Sequence, residues 1–328
     1  MEWWQAVILG VVEGITEYLP VSSTGHLILA SSLLGLDEPR IKPAMDAFNI
    51  VIQGGAILAV AGLYWPRLMQ MFRAGLGVFG LGPGDAQGLR LGINLLVAFL
   101  PAAIIGVLLN EIIEAWLFHA GPVLAALFLG GIYMILMDQW RQGRLSTIRH
   151  SSRERTIDTL TPSRALVIGL LQCVAMWPGT SRSMMTITGG VIVGLKPKDA
   201  AEFSFLLGLP TLTGACVYRL SKELARETSP EAPGMVEALG LSSILIAFVI
   251  TTVTAAFAVK WLVSFLTRHG LTPFGIYRFI LCGVLGLAIL GGIVTITPDE
   301  PPITGGVEII AEPADEPGLR NEIQPDSE

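Results

Sequence analysis

Cysteine and charge are the two things this 328-residue chain has least of. Its three cysteines, Cys173, Cys216 and Cys282, are odd in number, scattered through apolar stretches and never spaced as CxxC. That excludes a disulfide framework and a zinc site and leaves them as small buried hydrophobes. Charged residues make up only 15% of the chain against 52% hydrophobic, which excludes an ordinary soluble domain and predicts a polytopic membrane protein. No Lys or Arg precedes the first apolar run in "MEWWQAVILG", so the basic region of a cleaved signal peptide is missing and this segment is expected to stay in the mature protein. Much of the net charge of -6 comes from the stretch after Thr297, rich in Pro, Asp and Glu, which is expected to be disordered and solvated.

What is present is apolar length. Segments at 45–64, 91–109, 121–138, 201–220, 240–262 and 273–296 each approach the roughly 20 residues that a spanning helix needs. Two further apolar regions, 3–35 and 162–195, are broken midway by "LPVSSTG" and "WPGTSRS". Proline and polar residues there would expose backbone to lipid unless protein or a watery cavity covers it, so each region is expected to form a re-entrant hairpin of two half-helices. The halves correspond: "GVVEGITEYLP" from Gly10 matches "GLLQCVAMWP" from Gly169 with one deletion, and "KPAMDAFNIVIQGGAILA" from Lys42 resembles "KPKDAAEFSFLLGLPTLTGA" from Lys196. The expectation is an all-α fold with an inverted-topology repeat. Residues 1–140 and 162–297 would each hold one hairpin and three spans, joined by a basic linker at 141–161 and followed by the tail at 298–328.

Charge sets the orientation. Threading the spans gathers Arg67, Arg73, Arg90, Arg141, Arg144, Arg149, Arg153, Arg155, Arg164 and Arg268 on one side, which is then expected to be cytoplasmic. Arg40, Lys42, Lys222 and Arg226 fall on the other side with Glu111, Glu114, Glu223, Glu227, Glu231 and the tail. The first hairpin would enter from outside and the second from the cytoplasm.

The polar residues of the hairpins are the candidate site. Glu13 and Glu17 are four apart and share one helix face, beside Gly10 and Gly14, which would let another helix pack close. Ionisable groups at membrane depth are expensive, so a cation, a partner or a wet cavity is implied; the competing account is a carboxylate pair at a wet interface. After Pro20, the hydroxyls of Ser22, Ser23 and Thr24 open the next helix and His26 follows Ser23 at i+3, although caps explain one hydroxyl and a lone histidine is often only structural. In "PGTSRSMMT", Pro178 and Gly179 make a turn, and Thr180, Ser181, Arg182 and Ser183 open a helix. An arginine among hydroxyls and free N–H groups is an anion site suited to phosphate, unless Arg182 merely snorkels or pairs with Glu13 or Glu17.

"EGITEYLPVSSTGHL" together with "PGTSRSMMT" resembles the undecaprenyl-diphosphate phosphatase family, also called the bacitracin-resistance family, from Met1 to about Gly292. The resemblance implies a multi-pass enzyme of the bacterial inner membrane, whose site the loop charges and the inverted repeat turn toward the extracytoplasmic face. It would hydrolyse undecaprenyl diphosphate to undecaprenyl phosphate and phosphate, recycling the lipid carrier for peptidoglycan synthesis and giving bacitracin resistance. It carries catalytic roles onto Glu13, Glu17, Ser23, His26 and Arg182, and phosphate binding onto Ser22, Thr24, Gly25, Gly179, Thr180, Ser181, Ser183 and Thr186. Pro178 completes the motif, Tyr18 stands where an aromatic is usual, and Gln172 matches a Glu-or-Gln position. The partners are an isoprenoid diphosphate and membrane lipid, not nucleic acid, with a homodimer left open. Ser23 activated by His26 or Glu17, or His26 itself, is the nucleophile, and Glu13 and Glu17 are candidate ligands for Mg2+ or Ca2+. The rival reading is a lipid-phosphate flippase or transporter using the same site; a structural scaffold ranks last.

Overall fold

The computed structural model describes residues 1–82, 84–144, 155–225 and 233–296. Arg149 and Arg153 of the linker, Arg226, Glu227, Glu231 and the acidic tail lie outside the described residues, as do the side chains of Glu111, Glu114, Lys222 and Glu223. Among the described residues the chain is helical without a β-strand, in the order α1 Trp3–Thr16, α2 Ser23–Leu33, α3 Lys42–Leu63, α4 Trp65–Val78, α5 Ala86–Leu117, α6 Ala120–Arg141, α7 Pro162–Val174, α8 Arg182–Ile192, α9 Pro197–Leu224, α10 Met235–Leu239, α11 Leu241–His269 and α12 Thr272–Leu290. Six of these, α3, α5, α6, α9, α11 and α12, are long and apolar enough to cross a membrane, and they fall on the six apolar segments. At 14 and 13 residues, α1 and α7 reach only about 20 Å, short of the roughly 30 Å of hydrocarbon. Each is continued by an 11-residue helix, α2 or α8, after a sharp turn.

Three boundaries differ from the sequence reading. The first break falls at residues 17–22, with Ser23 already helical. A helix, α4, occupies a stretch read as a connection: its Arg67, Gln70 and Arg73 make it too polar to span, while Leu68 and Met71 pack on the core. The last span ends at Leu290, where Gly291 and Gly292 follow, the second with φ +70°. Glycine leaves a helix there at no steric cost.

Lipid is as apolar as leucine, so close backbone contact and hydrogen bonds must hold the helices together. Gly10 supplies the first contact: a Cβ there would lie 2.7 Å from the Ala247 carbonyl oxygen of α11, and the Gly10 carbonyl accepts from Thr251 Oγ1 at 3.1 Å. Gly169 packs against Ala98 of α5 in the same way, a Cβ falling 2.8 Å from the Ala98 Cα. Each short helix is thus pressed on the second span of the other half. At one end of the bundle Arg67 bridges Asp158 and Glu202, both at 3.0 Å. Trp65 and Trp261 are exposed toward that end and Trp3, Trp4 and Trp116 toward the other, the distribution expected of two interfacial aromatic belts.

The second turn is anchored by a residue from the last span. Arg278 of α12 is fully buried, and among the described residues no carboxylate pairs with it. Its guanidinium donates to the carbonyls of Ala126 (2.9 Å) and Leu127 (3.2 Å) on α6, and of Gly179 (2.7 Å) and Thr180 (3.1 Å) in the turn. Gly130 leaves it room, since a Cβ there would fall 2.8 Å from the Arg278 Cζ. The arginine therefore ties the α7–α8 turn to α6 and α12.

Leucine in place of Gly10 or Gly169 is expected to lower stability in detergent by at least about 1–3 kcal/mol, by wedging helices apart. Gly62→Leu, where nothing lies within 4 Å, is the control and should leave the melting temperature within a degree or two. Arg278→Met removes four charged hydrogen bonds and is expected to cost about 3 kcal/mol or more. Thermal unfolding of the three glycine variants and of Arg278→Met checks both.

Candidate active site

Two turns meet inside the bundle, and each is built on the same local irregularity. Ser22, the N-cap of α2, has φ 75° and Ser181, the N-cap of α8, has φ 77°; they are the only non-glycine residues with positive φ among those described. Such backbone costs about 1–3 kcal/mol per residue and persists only where its surroundings enforce it. Each strained cap presents the first residue of a half-helix, Ser23 in one turn and Arg182 in the other.

Glu17 joins them. It sits just past the end of α1, buried, with Oε2 accepting from Ser23 Oγ at 2.8 Å and Oε1 accepting from Arg182 Nη2 at 3.1 Å. Arg182 is further fixed by donation from Nη1 to the Ser204 carbonyl at 3.1 Å and by its position over the Tyr18 ring, 5.2 Å from the centroid. Tyr18 is itself fully buried edge-on against Phe205 at 5.5 Å. Arg182 Nε is buried and has no partner, so one donor of the fork stays free for an anion.

Ser23, Thr24, Glu13 and Pro178 line a cavity of about 510 Å³. Its wall also carries Asn49 and Gln53, one turn apart on α3. It extends past Ser31 and Ser32 to Asp37 and Lys42, at the end of the bundle opposite Arg67. Glu13 is 1% exposed and its Oε2 has no partner; Asn49 Oδ1 is another buried acceptor without one. These two oxygens suit a hard cation, which prefers carboxylate and carbonyl ligands. Among the described residues no group of three or more His, Cys, Asp or Glu side chains converges to hold a metal.

The other sequence candidates divide. Gly25 is buried, its N–H donating to Ser22 Oγ at 3.4 Å. Thr180 and Gly179 supply the carbonyls that Arg278 grips. Ser181 Oγ accepts from the Met184 N–H at 3.3 Å and contacts Ser183 Oγ at 3.0 Å. Ser183 and Thr186 are fully buried. Ser183 donates to the Leu19 carbonyl of the first turn at 2.9 Å, and Thr186 pairs with Ser204 Oγ at 2.6 Å and donates to the Arg182 carbonyl at 2.9 Å. Ser183 thus ties the second turn to the first and Thr186 ties α8 to α9, and neither lines the cavity.

His26 is not brought to Ser23. Its Nδ1 lies 2.7 Å from the Ser22 carbonyl, which can only accept, so Nδ1 carries the proton; Nε2 lies 2.7 Å from the Tyr277 hydroxyl and accepts from it in the neutral ring. His26 therefore grips the strained residue that presents Ser23. Four contributors, Ser204, Gly208, Tyr277 and Arg278, carry no motif that singles them out in the sequence. At Gly208 a Cβ would collide with the Arg182 guanidinium, 2.6 Å from Nη1; the only sequence signal there is that "EFSFLLGLP" belongs to the repeated segment.

The bacitracin resistance protein BacA family matches residues 6–285. A protein of Acidovorax ebreus named undecaprenyl-diphosphatase is 41% identical over 89% of this chain and 96% of its own. One of the same name from Pseudomonas paraeruginosa is 43% identical over 88% and 95%. Undecaprenyl-diphosphatase 2 of Rhodospirillum rubrum is 44% identical over 87% and 93%. With both turns, the Glu17 bridge, five spans and most of the sixth inside the matched residues, the chain belongs to the bacitracin resistance protein BacA family.

Proposed function

We propose that the chain is a membrane phosphatase that hydrolyses undecaprenyl diphosphate to undecaprenyl phosphate and phosphate, with Ser23 as nucleophile. The observation that carries this reading is the Glu17 carboxylate held between Ser23 Oγ and the Arg182 guanidinium. A serine alcohol needs an adjacent base to attack phosphorus, and Glu17 is that base. Ser23 Oγ attacks the terminal phosphorus, its proton passes to Glu17, and the P–O bond to the isoprenyl phosphate breaks. Water then attacks the phosphoserine, giving up a proton as Ser23 Oγ regains one, and inorganic phosphate leaves. Phosphoryl transfer is dominated by positioning and charge neutralisation, the part played by Arg182 with its free Nε and by the N-terminal turns of α2 and α8. A divalent cation bound at Glu13 Oε2 and Asn49 Oδ1 would add neutralisation of the diphosphate. His26 and Tyr277 position the turn.

The halves are related as an inverted repeat, supported by the matched Gly10 and Gly169 contacts and the paired Ser22 and Ser181 caps. The enzyme sits in the bacterial cytoplasmic membrane with its cavity open to the extracytoplasmic side, supported by the arginines at the closed end and the Asp37–Lys42 rim at the open one.

Purified protein in detergent is expected to release phosphate from an isoprenyl diphosphate; no turnover there would favour translocation, since detergent offers no two sides. Ser23→Ala should lose at least about 10³-fold in kcat, with Ser22→Ala much milder, and Arg182→Lys about 10²-fold, because a point charge cannot replace a planar fork. Glu17→Gln should lose activity and also about 3 kcal/mol of stability, by stranding a buried arginine. With Cys173, Cys216 and Cys282 replaced, Ser31→Cys should react with an impermeant thiol reagent applied to intact cells. Reaction only in inside-out vesicles would overturn the orientation.

A further inference from the structure

A second hollow of about 320 Å³ opens beside the first, between α5, α7 and α9. It shares Gly106, Ala175, Met176 and Ala215 with the polar cavity, and Arg182 closes its inner end. Its chemistry is different. The first cavity carries Asp37, Lys42, Ser31 and Ser32 toward the bundle end; the second is walled mainly by Phe99, Ala102, Ala103, Val107 and Gly214, with the hydroxyls of Thr211 and Tyr218 beside them. At its inner end Gln172 is 2% exposed and its Nε2 has no partner, as is true of Arg182 Nε. Two unpartnered buried donors thus face the head of an apolar channel. Beside it, Ile104 and Val107 on α5 and Val217 on α9 are exposed on the lipid-facing surface.

The glycines that border the hollow are spared for space and not for packing. Gly10, Gly55 and Gly169 are filled by a neighbouring backbone, so that a Cβ would collide. Gly106 and Gly214 are not: a Cβ at Gly106 would meet only the Met176 methyl at 3.6 Å, and one at Gly214 only the Phe99 ring at 3.8 Å. A glycine in a spanning helix that no neighbour fills leaves an opening. Both helices also carry an internal proline, Pro101 in α5 and Pro210 in α9, which removes a helical hydrogen bond and favours a bend.

We infer that the α5–α9 groove is the seat of the isoprenoid chain nearest the diphosphate, with Gln172 Nε2 and Arg182 Nε donating to the phosphate that bears the chain. The inference rests on the phosphatase reading for the identity of the headgroup. An apolar chain leaving Ser23 through the first cavity would pass Leu27, Ile28 and Ile50 but end among Asp37, Lys42 and water, whereas through the groove it passes from protein directly into lipid. Because lipid already shields the chain, the groove acts by shape and path more than by added hydrophobic affinity.

Gly214 lies six residues beyond Gly208, which packs on Arg182, or about 9 Å along α9. A five-carbon chain, about 5 Å long, stops short of it; a fifteen-carbon chain does not. Gly214→Leu is therefore expected to lower kcat/KM at least about tenfold for a C15 isoprenyl diphosphate and less than threefold for a C5 one. Equal losses on both would overturn the inference. The unsubstituted protein supplies an independent measurement. A C15 diphosphate with a diazirine on its second isoprene unit is expected to label α5 and α9, around Ala103, Val107 and Gly214. Label on α2, α3 or the end of α12 would overturn the groove even if Gly214→Leu failed to fold. Failure of the unsubstituted protein to turn over either substrate would defeat the phosphatase reading instead, and the label position would still decide the groove.

Discussion

The carboxylate of Glu17 is the group on which the rest of the site depends. It is shared by a hydroxyl from one turn and a guanidinium from the other. A buried carboxylate alone would be costly, and so would a buried Arg182; together, with the Ser204 carbonyl and the Tyr18 ring completing the guanidinium's surroundings, each offsets part of the other's penalty. The same bond fixes the relative position of two helix N-termini. An ion pair that does no more than neutralise would not need its second oxygen on a serine.

Around that bond, two similar halves yield an asymmetric centre. Corresponding strained caps, Ser22 and Ser181, are followed by unlike residues, Ser23 and Arg182. Corresponding helix positions three residues after Gly10 and Gly169 hold Glu13 and Gln172, one with an unpartnered acceptor and the other with an unpartnered donor. One half thus contributes a serine hydroxyl and carboxylates, the other positive charge and amide hydrogen. The scaffold that strains both turns is common; the chemistry lies in the differences.

The spans and both breaks are legible in the sequence because each rests on a coarse physical requirement. Twenty apolar residues cross lipid, and Pro20 with Ser22, or Pro178 with Gly179, cannot lie in it uncovered. Side-chain direction is not legible. Successive residues in a first helical turn point about 100° apart, so a run of hydroxyls reads alike whether it faces cavity or protein. Ser23 and Thr24 face the cavity, whereas Ser183 and Thr186 bond Leu19 and Ser204. His26, at i+3 from Ser23, has the spacing of a base for it but turns to Tyr277. Arg278 is hidden for a related reason: one arginine in the last span has no local pattern, and its carbonyl partners lie about a hundred or more positions away. The helix α4 escapes a sequence reading because its apolar stripe is interrupted by charges that find partners only at the bundle end, where Arg67 meets Asp158 and Glu202.

Four of the seven buried side-chain atoms without a partner among the described residues line the two hollows. Arg182 presents one unpaired donor, Gln172 another, and Glu13 and Asn49 two unpaired acceptors, while neighbouring hydroxyls are engaged in holding the turns. A fold that satisfied these four groups internally would be more stable. Leaving donors toward the apolar groove and acceptors toward the polar cavity makes sense if an anion arrives with its chain on one side and meets water or a cation on the other. On this view α5 and α9 keep Gly106 and Gly214 open for the same reason that α1 and α7 keep Gly10 and Gly169 closed. Close packing fixes the turns that carry Glu17, Ser23 and Arg182, and the space withheld from packing decides which way a lipid can approach them.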